Sequence, residues 1–235
     1  MNIKTDLIKN TKFTDAIKPC LLKHSQEYSV LATLRYLYPA KFDTMITGEA
    51  PDLQDCVSGI GIEVTAAVKE NDMKVSRAFS ELHQGKPKDI EKRKKIIESS
   101  GYSFVPLKEE KVAIATSGTS DGEKYIFQES IRRKLKKLKQ YRINYREIGL
   151  AIILLETPTS YAENHFSEWI SELFRETEEL FDFVYVISHR FCAYYDVHTK
   201  GWDKHVLTSG ESRSLATIGR MTAEGKLSLT DYEWM

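Results

Sequence analysis

The sequence predicts a mixed α/β (α+β) domain, a mixed central sheet flanked by helices, and three observations predict it. Between residues 42 and 68 short alternating segments are broken by Gly48, Pro51, Gly59 and Gly61, the pattern of strands joined by tight turns. Residues 148–156 and 183–187 are compact apolar runs of strand length, as expected for strands buried on both faces. The segments between them carry apolar residues at three- and four-residue spacing, the periodicity of helices with one buried face. Strand, helix, strand, helix, strand is the order of a sheet covered by helices. With 235 residues, 41% hydrophobic and 29% charged, the chain suits a single domain over residues 1–235 with a sizeable core. Residues 201–235, rich in Ser, Thr and Gly and weak in periodicity, read as a loosely packed C-terminal extension.

Taken in order, the first helix is predicted from His24 or Ser25, with Tyr28, Leu31, Ala32, Leu34, Arg35 and Tyr38 spaced along it and Pro39 ending it. Glu27 then falls in its first turn, where a carboxylate also suits the helix dipole. After the strand group come two helices, residues 71–83 and 88–99, the second closed by Gly101 and carrying Lys92, Arg93, Lys94 and Lys95. A strand at 111–116 leads into a polar loop, 117–124. Its glycine spacing differs from that of a phosphate loop, so it reads as a turn. A helix from about Gln128 follows, with Ile131, Leu135, Leu138 and Tyr141 or Tyr145 as a narrow apolar stripe. Another, 162–179, turns Phe166, Trp169, Ile170, Leu173 and Phe174 inward.

Composition excludes several classes. Lys and Arg number 34 against 34 Asp and Glu, so there is neither a uniformly basic coat nor an acidic tail, and any nucleic-acid affinity must come from a local patch. No run of about eighteen apolar residues predicts a membrane span. Residues 1–10 lack the apolar centre of a signal peptide. The expectation is a cytoplasmic protein without a membrane partner. Cys20, Cys56 and Cys192 are odd in number, far apart and never in a CxxC pair, which argues against disulfides or a thiolate zinc site and for buried thiols. The six histidines form no HExxH, and no GxSxG occurs.

Chemistry concentrates at two places. In a strand over 60–66, Ile60, Ile62 and Val64 share the core face while Gly61, Glu63 and Thr65 share the other, expected to be open. If Asp52 begins the neighbouring hairpin strand, its carboxylate approaches Glu63. The result is two hard oxygen ligands beside a glycine that leaves room for substrate. Such a pair suits Mg²⁺ (or Mn²⁺), which takes a few carboxylates together with waters and substrate phosphate. The second place is the helix bearing Arg132, Arg133, Lys134, Lys136, Lys137, Lys139, Arg142 and Arg146, with no acid between residues 130 and 146. Cations at this density favour a polyanion, and the backbone of DNA or RNA is the natural partner. Tyr141 and Tyr145 would stack on bases if exposed. The opposite helix, with Glu163, Glu168, Glu172, Glu176, Glu178 and Glu179, would face away from nucleic acid or meet the basic helix of a second copy.

Pro51-Asp52, a short hairpin and Glu63-Val64-Thr65 together resemble the signature of the PD-(D/E)XK nuclease superfamily, the restriction endonuclease-like proteins. The resemblance implies a restriction endonuclease-like core and divalent-metal-dependent hydrolysis of phosphodiester bonds in DNA. Asp52 and Glu63 would be the metal ligands, joined by Glu27 from the preceding helix. Thr65 stands where the motif usually has lysine. It can position a water but carries no charge to stabilise a developing anion. Lys69, Lys74, Lys134 and Lys137 are candidates for the missing ammonium, with Lys134 and Lys137 ahead. A homodimer would suit a nuclease that cuts both strands. Two alternatives remain: a nucleic-acid-binding protein whose site has decayed, and a charge-paired interaction protein without nucleic-acid affinity.

Overall fold

The computed structural model describes residues 11, 13, 15, 17–68, 70–84, 89–106, 112–115, 120–155 and 159–229. Seven strands form one mixed sheet in the order β1 (Ile46–Thr47), β2 (Leu53–Asp55), β3 (Ile60–Ala67), β6 (Glu147–Leu154), β7 (Phe183–Ile187), β8 (Phe191–Asp196) and β9 (Trp202–Val206). The three central strands, β3, β6 and β7, run parallel, and both ends of the sheet are antiparallel. Parallel neighbours require crossovers. Helix α7 (Thr159–Arg175) makes the one from β6 to β7. The longer one, from β3 to β6, holds α3 (Glu70–Gln84), α4 (Ile90–Ser99), the separate β4 (Ser103–Pro106) and β5 (Val112–Ala115) hairpin, α5 (Ser120–Leu135) and α6 (Leu138–Tyr141).

Each face of the sheet is buried by its own helices. On one, α1 (Pro19–Leu37) sets Val30, Leu31 and Leu34 against Ile60, Ile62 and Val64, with Phe42 of the short α2 (Pro39–Phe42) beside them. On the other, Phe127, Ile131, Leu138, Phe166, Trp169 and Ile170 cover Ile148, Leu150 and Ile152. A small lobe formed by α3, α4, β4 and β5 has its own core of Val75, Ala78, Ile97 and Tyr102.

Several expectations need correction. Pro19 occupies the start of α1, where its missing N–H costs nothing, so the helix begins earlier than apolar periodicity indicates. Glu27 therefore lies in the third turn and serves no helix dipole. Helix α5 starts at Ser120, inside the segment read as a turn, while residues 117–119 lie outside the described residues. The basic helix is not continuous to Arg146: it ends at Leu135 and resumes only as the single turn of α6. Residues 201–229 are no loose extension, and residues 230–235 lie outside the described residues. β9 completes the sheet, and α8 (Ser209–Ala223), opened by a Thr208–Glu211 capping box, packs Leu215 and Ile218 against Ala32 of α1. Cys20 and Cys56 are exposed, and only Cys192 is a buried thiol. Residues 1–10 and Lys69 lie outside the described residues. No helix among the described residues is long and apolar enough to cross a membrane.

Candidate active site

The site is built on the β2–β3 hairpin. Antiparallel pairing of Leu53 with Ile62 brings the preceding Asp52 alongside Glu63. There the Val64 amide donates to Asp52 Oδ2 at 2.8 Å. Gly61 makes this approach feasible: a Cβ there would lie 2.6 Å from Pro51 Cγ and 3.0 Å from Ile148 Cδ1. Space next to Gly61 is thus filled by Pro51, not left for substrate. The face carrying Glu63 is covered by α5 as well, so it is not open: Asp52 is 2% and Glu63 1% exposed.

Two buried carboxylates side by side repel one another and need positive charge. Helix α5 delivers it. Lys134 Nζ lies 2.6 Å from Glu63 Oε1 and 3.6 Å from Asp52 Oδ2, so one ammonium sits between the two acids. Lys137 Nζ, one turn on and more exposed, is 3.7 Å from the same Glu63 oxygen. From the opposite side α1 contributes Lys23 and Glu27, four residues apart and therefore on one helix face. Lys23 Nζ is 2.9 Å from Asp52 Oδ1 and 3.0 Å from Glu27 Oε1, and His24 Nδ1 is 2.9 Å from Glu27 Oε2. Carboxylates and ammonium groups thus alternate from α1 across the hairpin to α5.

Burial by itself opposes ionisation of Asp52 and is the largest single influence on it. The Val64 amide, Lys23 and Lys134 together outweigh it and hold the carboxyl below its ordinary range. Burial likewise opposes the charge on Lys23, but Asp52 and Glu27 raise its ammonium above the usual lysine value. Tyr141 is pushed up by burial first and then by the negative charge of neighbouring Glu63.

Glu27, Asp52, Glu63 and Lys134 thus converge as the sequence suggests, with Lys137 at the margin. Thr65 follows on the same side of β3, half-buried, and supplies no charge. Lys74 lies on α3. Arg133, Lys136 and Lys139 are exposed, and Arg132 is half-buried. The basic patch is partly neutralised within the chain, by Arg132 to Glu129 at 3.9 Å and Lys139 to Glu179 at 3.0 Å, and Lys124 of α5 meets Glu172 of α7. The two oppositely charged segments therefore adjoin rather than facing apart. Tyr141 is buried and Tyr145 packs against the core, so neither is a free stacking platform. Lys23, His24 and Tyr141 are members that sequence reasoning missed. The four-residue spacing of Lys23 and Glu27 is a usable signal once the helix begins at Pro19.

Among the described residues no group of three or more His, Cys, Asp and Glu side chains could hold a metal ion. Lys23 separates Glu27 from the other two acids. A two-carboxylate set does fit a hard cation. Asp52 and Glu63 already share one positive group, and Glu63 Oε2 is a buried oxygen that accepts no hydrogen bond from the described residues. Compared with models of known protein families, with curated proteins and with solved structures, the chain matches none.

Proposed function

We propose that this protein is a divalent-metal-dependent nuclease that hydrolyses phosphodiester bonds in DNA, built on a restriction endonuclease-like core of the PD-(D/E)XK type. One observation carries the reading: the buried Asp52 and Glu63 carboxylates are joined by the Lys134 ammonium, which takes the place left by Thr65. Asp52 and Glu63 are the residues that would hold Mg²⁺ (or Mn²⁺), and Glu27 stays behind Lys23. A bound divalent ion would lower the pKa of a water and neutralise charge on the scissile phosphate. Lys134 orients the attacking water and offsets the negative charge gathering on the phosphate in the transition state. Thr65 supplies a hydroxyl for the same water. Arg132, Arg133, Lys136, Lys137 and Lys139 lie next to Lys134 in sequence and guide the phosphate backbone toward it.

A second reading has its own support. Asp52, Glu63 and Glu27 each already have a lysine partner, as in a site that keeps its fold and DNA affinity without chemistry. The charge-paired interaction reading is disfavoured, because the cations and acids it needs meet inside one chain.

Plasmid and single-stranded DNA incubated with the full chain under Mg²⁺, Mn²⁺ or EDTA test the proposal, with Glu63→Gln and Asp52→Asn beside the wild type. The expected outcome is metal-dependent cleavage that both substitutions reduce to background while circular dichroism stays native. Cleavage unchanged in Glu63→Gln would refute the assignment. Salt-sensitive binding without cleavage would establish the second reading.

A further inference from the structure

The edge of the sheet away from β1 carries an independent feature. Among the described residues β9 is the last strand and pairs only with β8. The Asp196 amide donates to the Gly201 carbonyl at 2.8 Å and the Leu207 amide to the Arg190 carbonyl at 2.7 Å. Hydrogen-bonded pairs alternate in an antiparallel ladder. Residues 201, 203, 205 and 207 therefore turn their backbone groups to β8, and Trp202, Lys204 and Val206 turn theirs to the outer edge. The side chains are equally ordered. Trp202 and Val206 are 53% and 74% exposed. Lys204 shares their face, and its ammonium bonds Glu163 of α7. Asp203 and His205 occupy the other face, with their charged ends 3.9 Å apart.

We propose that β9 is a homodimerisation edge, on which β9 of a second copy of this chain adds antiparallel about a twofold axis through Lys204. The occupant follows from the self-complementarity of the strand. In that register Lys204 faces its own counterpart and Trp202 faces Val206 of the second copy. The three residues with outward backbone groups are thus paired with one another, and their amides and carbonyls are satisfied across the axis. Trp202 against Val206 is an aromatic and β-branched cross-strand pair, which is favourable. Asp203 falls opposite His205 of the second copy, acid against base, at a non-hydrogen-bonded position where side chains come closest. The juxtaposed Lys204 side chains would repel one another, but each already carries Glu163 of its own chain. One contact has to be exchanged. The Lys204 amide is held by Asp203 Oδ1 at 2.7 Å, and pairing transfers that amide to the facing carbonyl and frees Asp203 for His205. The opposite edge strand, β1, has only two residues and offers no comparable ladder. An isologous contact of this kind closes at two copies.

The test is sedimentation velocity on the full chain over a concentration series, for the wild type, Val206→Glu, Asp203→Lys, His205→Glu and the Asp203→Lys/His205→Glu double variant. The wild type is expected to shift from monomer to dimer with concentration and to stop there. Val206→Glu and each charge variant should weaken the dimer at least about tenfold. Asp203→Lys sets two bases opposite each other, and His205→Glu sets two acids. The double variant restores opposite charges and should return within a few-fold of the wild type. All of these positions are exposed or half-buried, and circular dichroism confirms the fold. A wild type monomeric throughout, a dimer indifferent to Val206→Glu and to both single charge variants, or species that keep growing beyond two copies would overturn the proposal.

Discussion

Asp182, just ahead of β7, and Glu63, within β3, are both carboxylates set among strands, and they are treated in opposite ways. Asp182 Oδ2 accepts from the Ile148 amide at 2.7 Å and from Arg142 Nη1 at 3.1 Å. Its Oδ1 takes Arg142 Nη2 at 3.2 Å and stands 3.1 Å from His198 Nε2. Both oxygens have partners, and the cluster ties the start of β6 to the loop before β7. Glu63 is more deeply buried, yet Oε1 faces two lysines while Oε2 accepts nothing from the described residues. The difference is between a carboxylate whose two oxygens are hydrogen-bonded across neighbouring elements and one whose charge is met mainly by ammonium groups from α5 and the turn after it.

The strongest way to break this comparison is Lys134→Met. It removes the ammonium between two buried acids and should cost about 3–5 kcal/mol in metal-free urea unfolding. Added Mg²⁺ should restore part of the loss, because it binds the folded state. Cleavage should fall on the order of a hundred- to a thousandfold. Unaltered stability would mean that the acids need no compensating cation. Asp182→Ala sharpens the contrast. Leaving the Ile148 amide and Arg142 without their acceptor should cost about 2–3 kcal/mol, which Mg²⁺ does not recover, and the cleavage rate should be untouched.

Gly61→Ala lies between the two regions in kind. The new methyl would press on Pro51 and Ile148, costing about 1–3 kcal/mol by overpacking and displacing Asp52. Stability and cleavage should therefore fall together, and a loss of stability alone would separate the hairpin from the chemistry. The smallest effect is in acid. Burial opposes ionisation of Asp182 most, but the Ile148 amide, Arg142 and His198 outweigh it and hold its carboxyl below the ordinary range, as the Val64 amide, Lys23 and Lys134 do for Asp52. The unfolded chain then binds protons first as pH falls. The stability these groups contribute is complete above the usual carboxylate pKa of about 4 and is lost as pH drops through their folded values. Asp182→Asn should flatten that acid limb in thermal melts taken from pH 5 downward, and an unchanged slope would remove Asp182 from the account.

Much of the sheet was legible because its signals are local. β7 matches residues 183–187 to the residue, and β3 and β6 depart from expectation only at their ends. β4, β8 and β9 escaped for different reasons. β4 belongs to a small lobe with little apolar content. Strands β8 and β9 carry Tyr194, Asp196, Asp203 and Lys204 among their apolar residues, so no clean alternation marks them. The same weak periodicity makes residues 201–229 look loose, although what orders them is contact with α1 and the sheet. Pro19 and Cys20 precede the apolar stripe of α1, so periodicity places the helix start too late, which leaves Lys23 outside the helix and Glu27 in a first turn it does not occupy.

The sequence by itself determined which side of β3 is apolar and which carries Glu63, since a strand reverses its side chains at every residue. It offered the approach of Asp52 to Glu63 as a condition on where the hairpin strand begins, and the pairing of Leu53 with Ile62 supplies that register. Only the tertiary structure decided which cation completes the site. Lys134 is 71 residues from Glu63 along the chain, and its approach depends on how the long crossover returns α5 to the sheet. No spacing rule reaches across such a path. The choice among many lysines was made by burial of the apolar stripe of α5, which aims Lys134 inward and leaves Lys136 in water.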